Sequence, residues 1–175
     1  AQLKEINKTV RTDPVKSEKL SNEMYKGGFI DGVGVDDDYR HSIWKNATAS
    51  ADKHNNPGQF TALIGYEWTS WYYNLHRVVI FKDSSQKVGQ VIPYSQYDSV
   101  DPEDLWQHLE DYETKTGGEV LAIPHNGNLS VGVMFATEDA KGKPLSEDYA
   151  TTRSRWEPLF EATQIKGDSE THPLL

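Results

Sequence analysis

Two short apolar runs, FTALIG at 60–65 and LHRVVIF at 75–81, are joined by only nine residues, 66–74. Both read as strands: the first is apolar enough to be buried on both faces, and the second is rich in β-branched residues. A parallel crossover takes a dozen residues or more, so this connection makes the pair an antiparallel hairpin. The constraint carries chemical weight. It brings the polar residues that end the first run back beside those that open the second.

The remaining elements are read around that pair. Residues 39–54 place Ile43, Ala47 and Ala51 at i, i+4 and i+8, a helical stripe ended by Asn55-Asn56-Pro57-Gly58. Asp101-Pro102-Glu103-Asp104 predicts a helix start, with Asp101 as N-cap, Pro102 at the first position and acids in the first turn. Leu105, Trp106, Leu109 and Tyr112 give that helix one apolar face, and Gly117-Gly118 stops it. Residues 119–123 form a third strand broken at Pro124. Ser146 caps a helix to about Trp156, and Pro158 separates it from a last strand over 159–165.

Residues 1–38 have scattered apolar positions and the acidic run Asp36-Asp37-Asp38, and read as an irregular arm on one partial domain whose α/β core portion is 39–175. Alternation of strands and helices points to an α/β architecture with a mainly parallel sheet, open at both ends. Trp106 and Trp156 are assigned to the core; His41, His54 and His108, in helical or flanking segments with polar neighbours, are assigned to the surface.

Charge and composition narrow the function. Eighteen Lys and Arg against 27 Asp and Glu give −9, which disfavours a nucleic-acid polymer or an anionic membrane surface as partner. A small phosphate substrate stays open, since a cation can meet its charge. Zero cysteines excludes disulfides, zinc ribbons, iron–sulfur clusters and thiol nucleophiles. No apolar run approaches the roughly 20 residues of a membrane span.

Polar residues interrupt the strands at telling places. Gly65-Tyr66-Glu67-Trp68 sets a carboxylate at the end of the first strand, and Leu75-His76-Arg77 returns an imidazole beside it. Ile123-Pro124-His125-Asn126 sets a second imidazole at the end of the third strand, and Asp168, Glu170 and His172 lie just beyond the fourth. Ligands of α/β folds bind at the carboxyl ends of strands, so these groups are expected on one rim. Imidazole with carboxylate suits zinc, manganese or iron, and a bridging Glu can hold two cations. Two cations about 3.5–4 Å apart generate hydroxide and clamp both oxygens of a phosphoryl displacement. The bland alternatives are a solvated Glu67, an ion-paired Arg77, and packing for Trp68, Trp71, Tyr72 and Tyr73, which otherwise suggest a sugar- or base-stacking wall.

The phrases FTALIGYEWTS, NLHRVVIF, LAIPHNGN and WEPLFEATQIKGDSETHP resemble a bacterial domain-of-unknown-function family that is similar to the PHP (polymerase and histidinol phosphatase) metal-dependent hydrolases. The resemblance runs from about Trp44 to Leu175. It implies part of a distorted (β/α)7 barrel, incomplete at both ends, with two or three divalent metal ions (Zn, Mn or Fe) and hydrolysis of phosphate mono- or diesters. It makes Glu67 a bridging carboxylate, His125 a metal ligand, and His76 either a ligand or a substrate contact. Arg77 and Asn126 become phosphate or supporting groups; Asp168 and His172 are taken with Glu67, His76 and His125 as the metal-binding set, although the phrase, which also holds Glu170, gives none of those three an individual role.

The superfamily's His-x-His strand, Asp-His pair and closing Asp-x-His strand do not occur here, and the chain stops after His172-Pro173-Leu174-Leu175 where the family continues. An internal piece of a longer protein is therefore expected, with the remaining segments of that protein as partners. Because relatives often look exported, the resemblance implies a setting in the bacterial periplasm or outside the cell, with the cytoplasm as the alternative. The competing expectations are a sulfate-ester hydrolase and a non-catalytic carbohydrate- or nucleotide-binding module.

Overall fold

The computed structural model describes residues 37–70, 72–139 and 142–169. The expected arm, 1–38, lies outside them except for Asp37 and Asp38, which open helix α1 (Asp37–His54). The buried positions of α1 are Trp44 and Thr48, with Ala51 packed partly against the core, while Ile43 is exposed. The stripe thus sits one residue on from Ile43 and Ala47. The large Trp44 ring takes the core position and its indole N–H donates to the Val88 carbonyl at 3.2 Å.

Strand β1 (Ile64–Trp68) begins later than the apolar run suggests. Asn56 and Phe60 exchange backbone hydrogen bonds, closing 56–60 into a turn that uses Phe60 and leaves its ring exposed. Strand β2 (Arg77–Phe81) pairs antiparallel with β1, with Glu67 opposite Val78 and Trp68 opposite Arg77, as the short connection requires. Strand β3 (Val120–Pro124) also pairs antiparallel with β2, Arg77 opposite Pro124, giving a three-stranded sheet in the order β1-β2-β3.

The mainly parallel sheet is therefore corrected: among the described residues every ladder is antiparallel. The reason lies in the path from β2 to β3. The chain leaves β2 at Phe81, passes the one-turn helix α2 (Ser85–Val88), and crosses to Val100, whose carbonyl accepts from Ser70 Oγ beyond the far end of β1. Helix α3 (Pro102–Thr116) then carries it back, and Lys82 N–H bonds the Glu119 carbonyl at the starting end. Two traverses between strands return the chain to the end it left.

Helix α3 starts as its sequence dictates. The Asp101 carboxylate accepts from the Glu103 N–H at 2.9 Å, and Gly117 stops the helix at φ 61°, a left-handed conformation that glycine adopts without a side-chain clash. Asp101→Ala should lower stability by about 1 kcal/mol in urea denaturation, the usual loss for an N-cap. Helix α4 (Glu147–Trp156) is capped by Ser146, whose Oγ accepts from the Tyr149 N–H.

One face of the sheet, carrying Trp68, Val79, Phe81, Val120 and Ala122, packs into a core with Trp44, Leu105, Trp106, Leu109, Tyr112 and Trp156. Beneath the sheet end lies a buried ion cluster. Arg77 Nε and Arg153 Nε donate to opposite oxygens of Glu157 at 2.9 and 3.0 Å, and the Trp106 indole N–H donates to Glu157 Oε1. His108 departs from its surface assignment: it is half-buried and stacked on Tyr94 at 4.9 Å, and burial pulls its pKa down. His41 and His54 are exposed as expected.

The expected strand over 159–165 is reduced to β4 (Thr163–Gln164), paired with β5 (Gly167–Asp168). Ile165 and Lys166 form the turn between them, leaving Ile165 fully exposed, and Gly167 resumes the chain at φ 121°. Among the described residues no helix is long and apolar enough to cross a membrane.

Candidate metal centre

Side chains alternate between the faces of a strand, so register alone decides which groups meet. Trp68, Arg77 and Pro124 lie on the core face, which puts Glu67, Val78 and Ile123 on the other. His76 and His125 continue that second face one step beyond the ladder, where the His125 N–H donates to the His76 carbonyl at 3.2 Å. Three residues far apart in the sequence thereby reach one end of one sheet face.

Their contacts are close. His76 Nδ1–H and His125 Nε2–H both donate to the same carboxylate oxygen, Glu67 Oε1, each at 3.0 Å. The two rings stand edge to face with centroids 5.7 Å apart. One ligand atom from each residue lies within 4.8 Å of the others, so the group could hold a metal ion. The mouth is graded: the Glu67 side chain is 49% exposed, against 17% for His76 and 11% for His125.

Desolvation is the largest influence on the Glu67 carboxyl and pushes its pKa up, but hydrogen bonds from His125 and His76, with their charges, hold it below its ordinary value. A depressed carboxylate contributes stability above its unfolded pKa and loses it as pH falls through the folded value. A carbon-13 NMR titration of metal-free protein should accordingly give a Glu67 midpoint below that of an ordinary glutamate. His125→Ala should move that midpoint upward.

Among the described residues, the other expected site residues, Arg77, Asn126 and Asp168, do not join this group. Arg77 is 1% exposed on the opposite face, its Nε on Glu157 and its NH1 on the Leu75 carbonyl, so the strand alternation that turns His76 outward turns Arg77 into the core. Asn126 is also buried, at φ 61°, and its Oδ1 accepts from Gln164 Nε2 at 2.7 Å, so it faces a supporting segment. Asp168 accepts from Thr163 Oγ1 across the β4–β5 turn. Glu170 and His172 lie outside the described residues. Trp68 is fully buried, and this removes it from any stacking wall; Tyr73 is 42% exposed, and Trp71 lies outside the described residues.

Two residues here escape any reading of local pattern. Glu161 Oε2 accepts from the Asn126 N–H at 3.1 Å, and Gln164 Nε2 donates to the same oxygen at 2.6 Å. Both sit inside the phrase WEPLFEATQIKGDSETHP, the one signal that marks them out.

No curated protein and no solved structure matches the chain. A family model does, over residues 2–175, and so includes the strands and turns that carry Glu67, His76 and His125. The chain belongs to the family described as protein of unknown function DUF3604.

Proposed function

We propose that Glu67, His76 and His125 hold a divalent cation in a hydrolase of phosphate mono- or diesters. The observation that carries the reading is the meeting of two imidazoles from separate strands on one carboxylate oxygen at a half-open mouth. Two nitrogens and one oxygen form a donor set suited to zinc, manganese or iron, and three protein ligands leave a position for water or substrate. A cation bound there would supply Lewis acidity and lower the pKa of water.

The chain's own groups do the rest. To ligate a cation, His76 Nδ1 and His125 Nε2, which now donate to Glu67 Oε1, would have to be unprotonated, each neutral ring carrying its proton on the other nitrogen, and Glu67 would hold the cation with them. Glu67, as the most exposed of the three, faces incoming substrate, while His125 is held at the closed side. The likeness to the PHP hydrolases supports phosphoesters as the substrate class. It also supports a distorted (β/α)7 barrel for the complete site, in which β1-β2-β3 would form one wall. A sulfate ester would be met by the same charges.

The test is hydrolysis of p-nitrophenyl phosphate and bis(p-nitrophenyl) phosphate by the full-length protein, stripped with chelator and then restored with zinc or manganese. Hydrolysis should need the metal and should be lost in Glu67→Gln. Chelator-resistant hydrolysis, or none with either metal, would contradict the reading.

A further inference from the structure

The turn that follows β3 leaves the strand conformation abruptly. Asn126 has φ 61°, a left-handed backbone that asparagine tolerates better than other side-chain-bearing residues but less freely than glycine. A residue in this conformation decides where its neighbour points, and the neighbour here is His125. Contacts from another segment brace the turn.

The holding contacts come from one segment and bracket His125 on both sides. The Glu161 N–H donates to the Pro124 carbonyl at 3.2 Å, immediately before His125. Immediately after it, the Asn126 N–H donates to Glu161 Oε2 at 3.1 Å. Gln164 Nε2 then bridges Glu161 Oε2 at 2.6 Å and Asn126 Oδ1 at 2.7 Å, tying the carboxylate to the turn it grips. The segment also closes sterically over Gly127, where an added Cβ would fall 2.7 Å from the Phe160 ring. His125 itself is anchored from the other side by its N–H on the His76 carbonyl. Backbone at 124, 125 and 126 is thus fixed in succession.

We infer that Glu161 and Gln164 are positioning residues: their shared hydrogen-bond clamp holds Asn126 in its left-handed conformation and so aims His125 Nε2 at Glu67. The hydrogen bonds of this clamp run to the Asn126 N–H and side-chain amide and to the Pro124 carbonyl, so it acts on His125 through the turn around it. The inference rests on the proposed metal centre for its functional meaning, but the aiming of His125 exists without metal.

The experiment has two readouts. In metal-free protein, nitrogen-15 NMR of the His125 ring reports its hydrogen bond to Glu67. Gln164→Ala and Glu161→Ala should shift the Nε2 signal toward that of a free imidazole, whereas Glu161→Gln, which keeps an acceptor oxygen, should restore it. Zinc titration by calorimetry should show Gln164→Ala weakened by about 10–100-fold, the usual range for groups that orient a ligand. In an Asn126→Gly background, where the left-handed conformation needs no enforcement, adding Gln164→Ala should change zinc affinity by less than about 2-fold.

An unchanged His125 signal together with unchanged zinc affinity in Gln164→Ala would overturn the clamp, even if thermal stability fell. A wild type that fails to bind zinc, with the His125 signal still moved by Gln164→Ala, would overturn the metal reading and leave the clamp supported.

Discussion

Glu157→Ala should destabilise the protein by on the order of 3–5 kcal/mol, the usual loss when one partner is removed from a buried ion pair. Arg77 and Glu157 side chains are each 2% exposed, so the variant leaves the Arg77 guanidinium with little but the Leu75 carbonyl and the Trp68 ring face, 5.7 Å away. The Trp106 indole N–H loses its acceptor at the same time, a second unsatisfied buried group. The double variant Arg77→Met, Glu157→Met should lose less, because it removes the buried charges together. Arg153, at 17% exposure, can turn toward water and keeps its bond to the Met134 carbonyl. Urea denaturation of the three proteins separates the outcomes: equal losses would mean that volume, not charge, governs this corner of the core.

The second large effect concerns His125. Removing one ligand from a set of three should weaken zinc binding by more than the 10–100-fold typical of a supporting residue. His125→Ala is therefore expected to lose zinc on dialysis that the wild type retains, while Asp168→Asn, which alters a residue bonded across its own turn, should load as the wild type does. Zinc content by elemental analysis gives the answer. Equal loading of His125→Ala and wild type would remove this residue from the site.

The meeting of Glu67 and His76 is legible because a nine-residue connection leaves the chain little choice but a hairpin. His125 is legible for a different reason: Pro124 ends a buried run, and the next residue stands at a strand end. Arg77 shows how adjacency in sequence misleads. Strand neighbours face opposite ways, so the outward turn of His76 commits Arg77 to the core, a consequence that follows only once the pairing is fixed.

The sheet's sense is illegible for a related reason. Alternating strands and helices suggest parallel pairing only when each connection crosses the sheet once, and the segment from Lys82 to Asp101 adds a second crossing without regular periodicity. Glu161 and Gln164 belong to the same class of hidden feature. They act on Asn126 from 35 and 38 residues away, through bonds to backbone and amide groups that leave no hydrophobic period behind.

The helix caps are the opposite case, set by a few consecutive residues: Asp101 and Ser146 both accept the backbone N–H their positions call for. The shift of α1's buried stripe from Ile43 to Trp44 falls between, since spacing names a face and side-chain size chooses among neighbouring stripes.

The most direct measurement is an anomalous-difference map from a crystal of the protein soaked in zinc, collected at the zinc absorption edge. A peak within coordinating distance of Glu67, His76 and His125, absent in His125→Ala, is the expected result. Ordered Glu67, His76 and His125 side chains with no peak between them, or a zinc held elsewhere with that cluster unchanged, would contradict the metal centre on which the hydrolase reading depends.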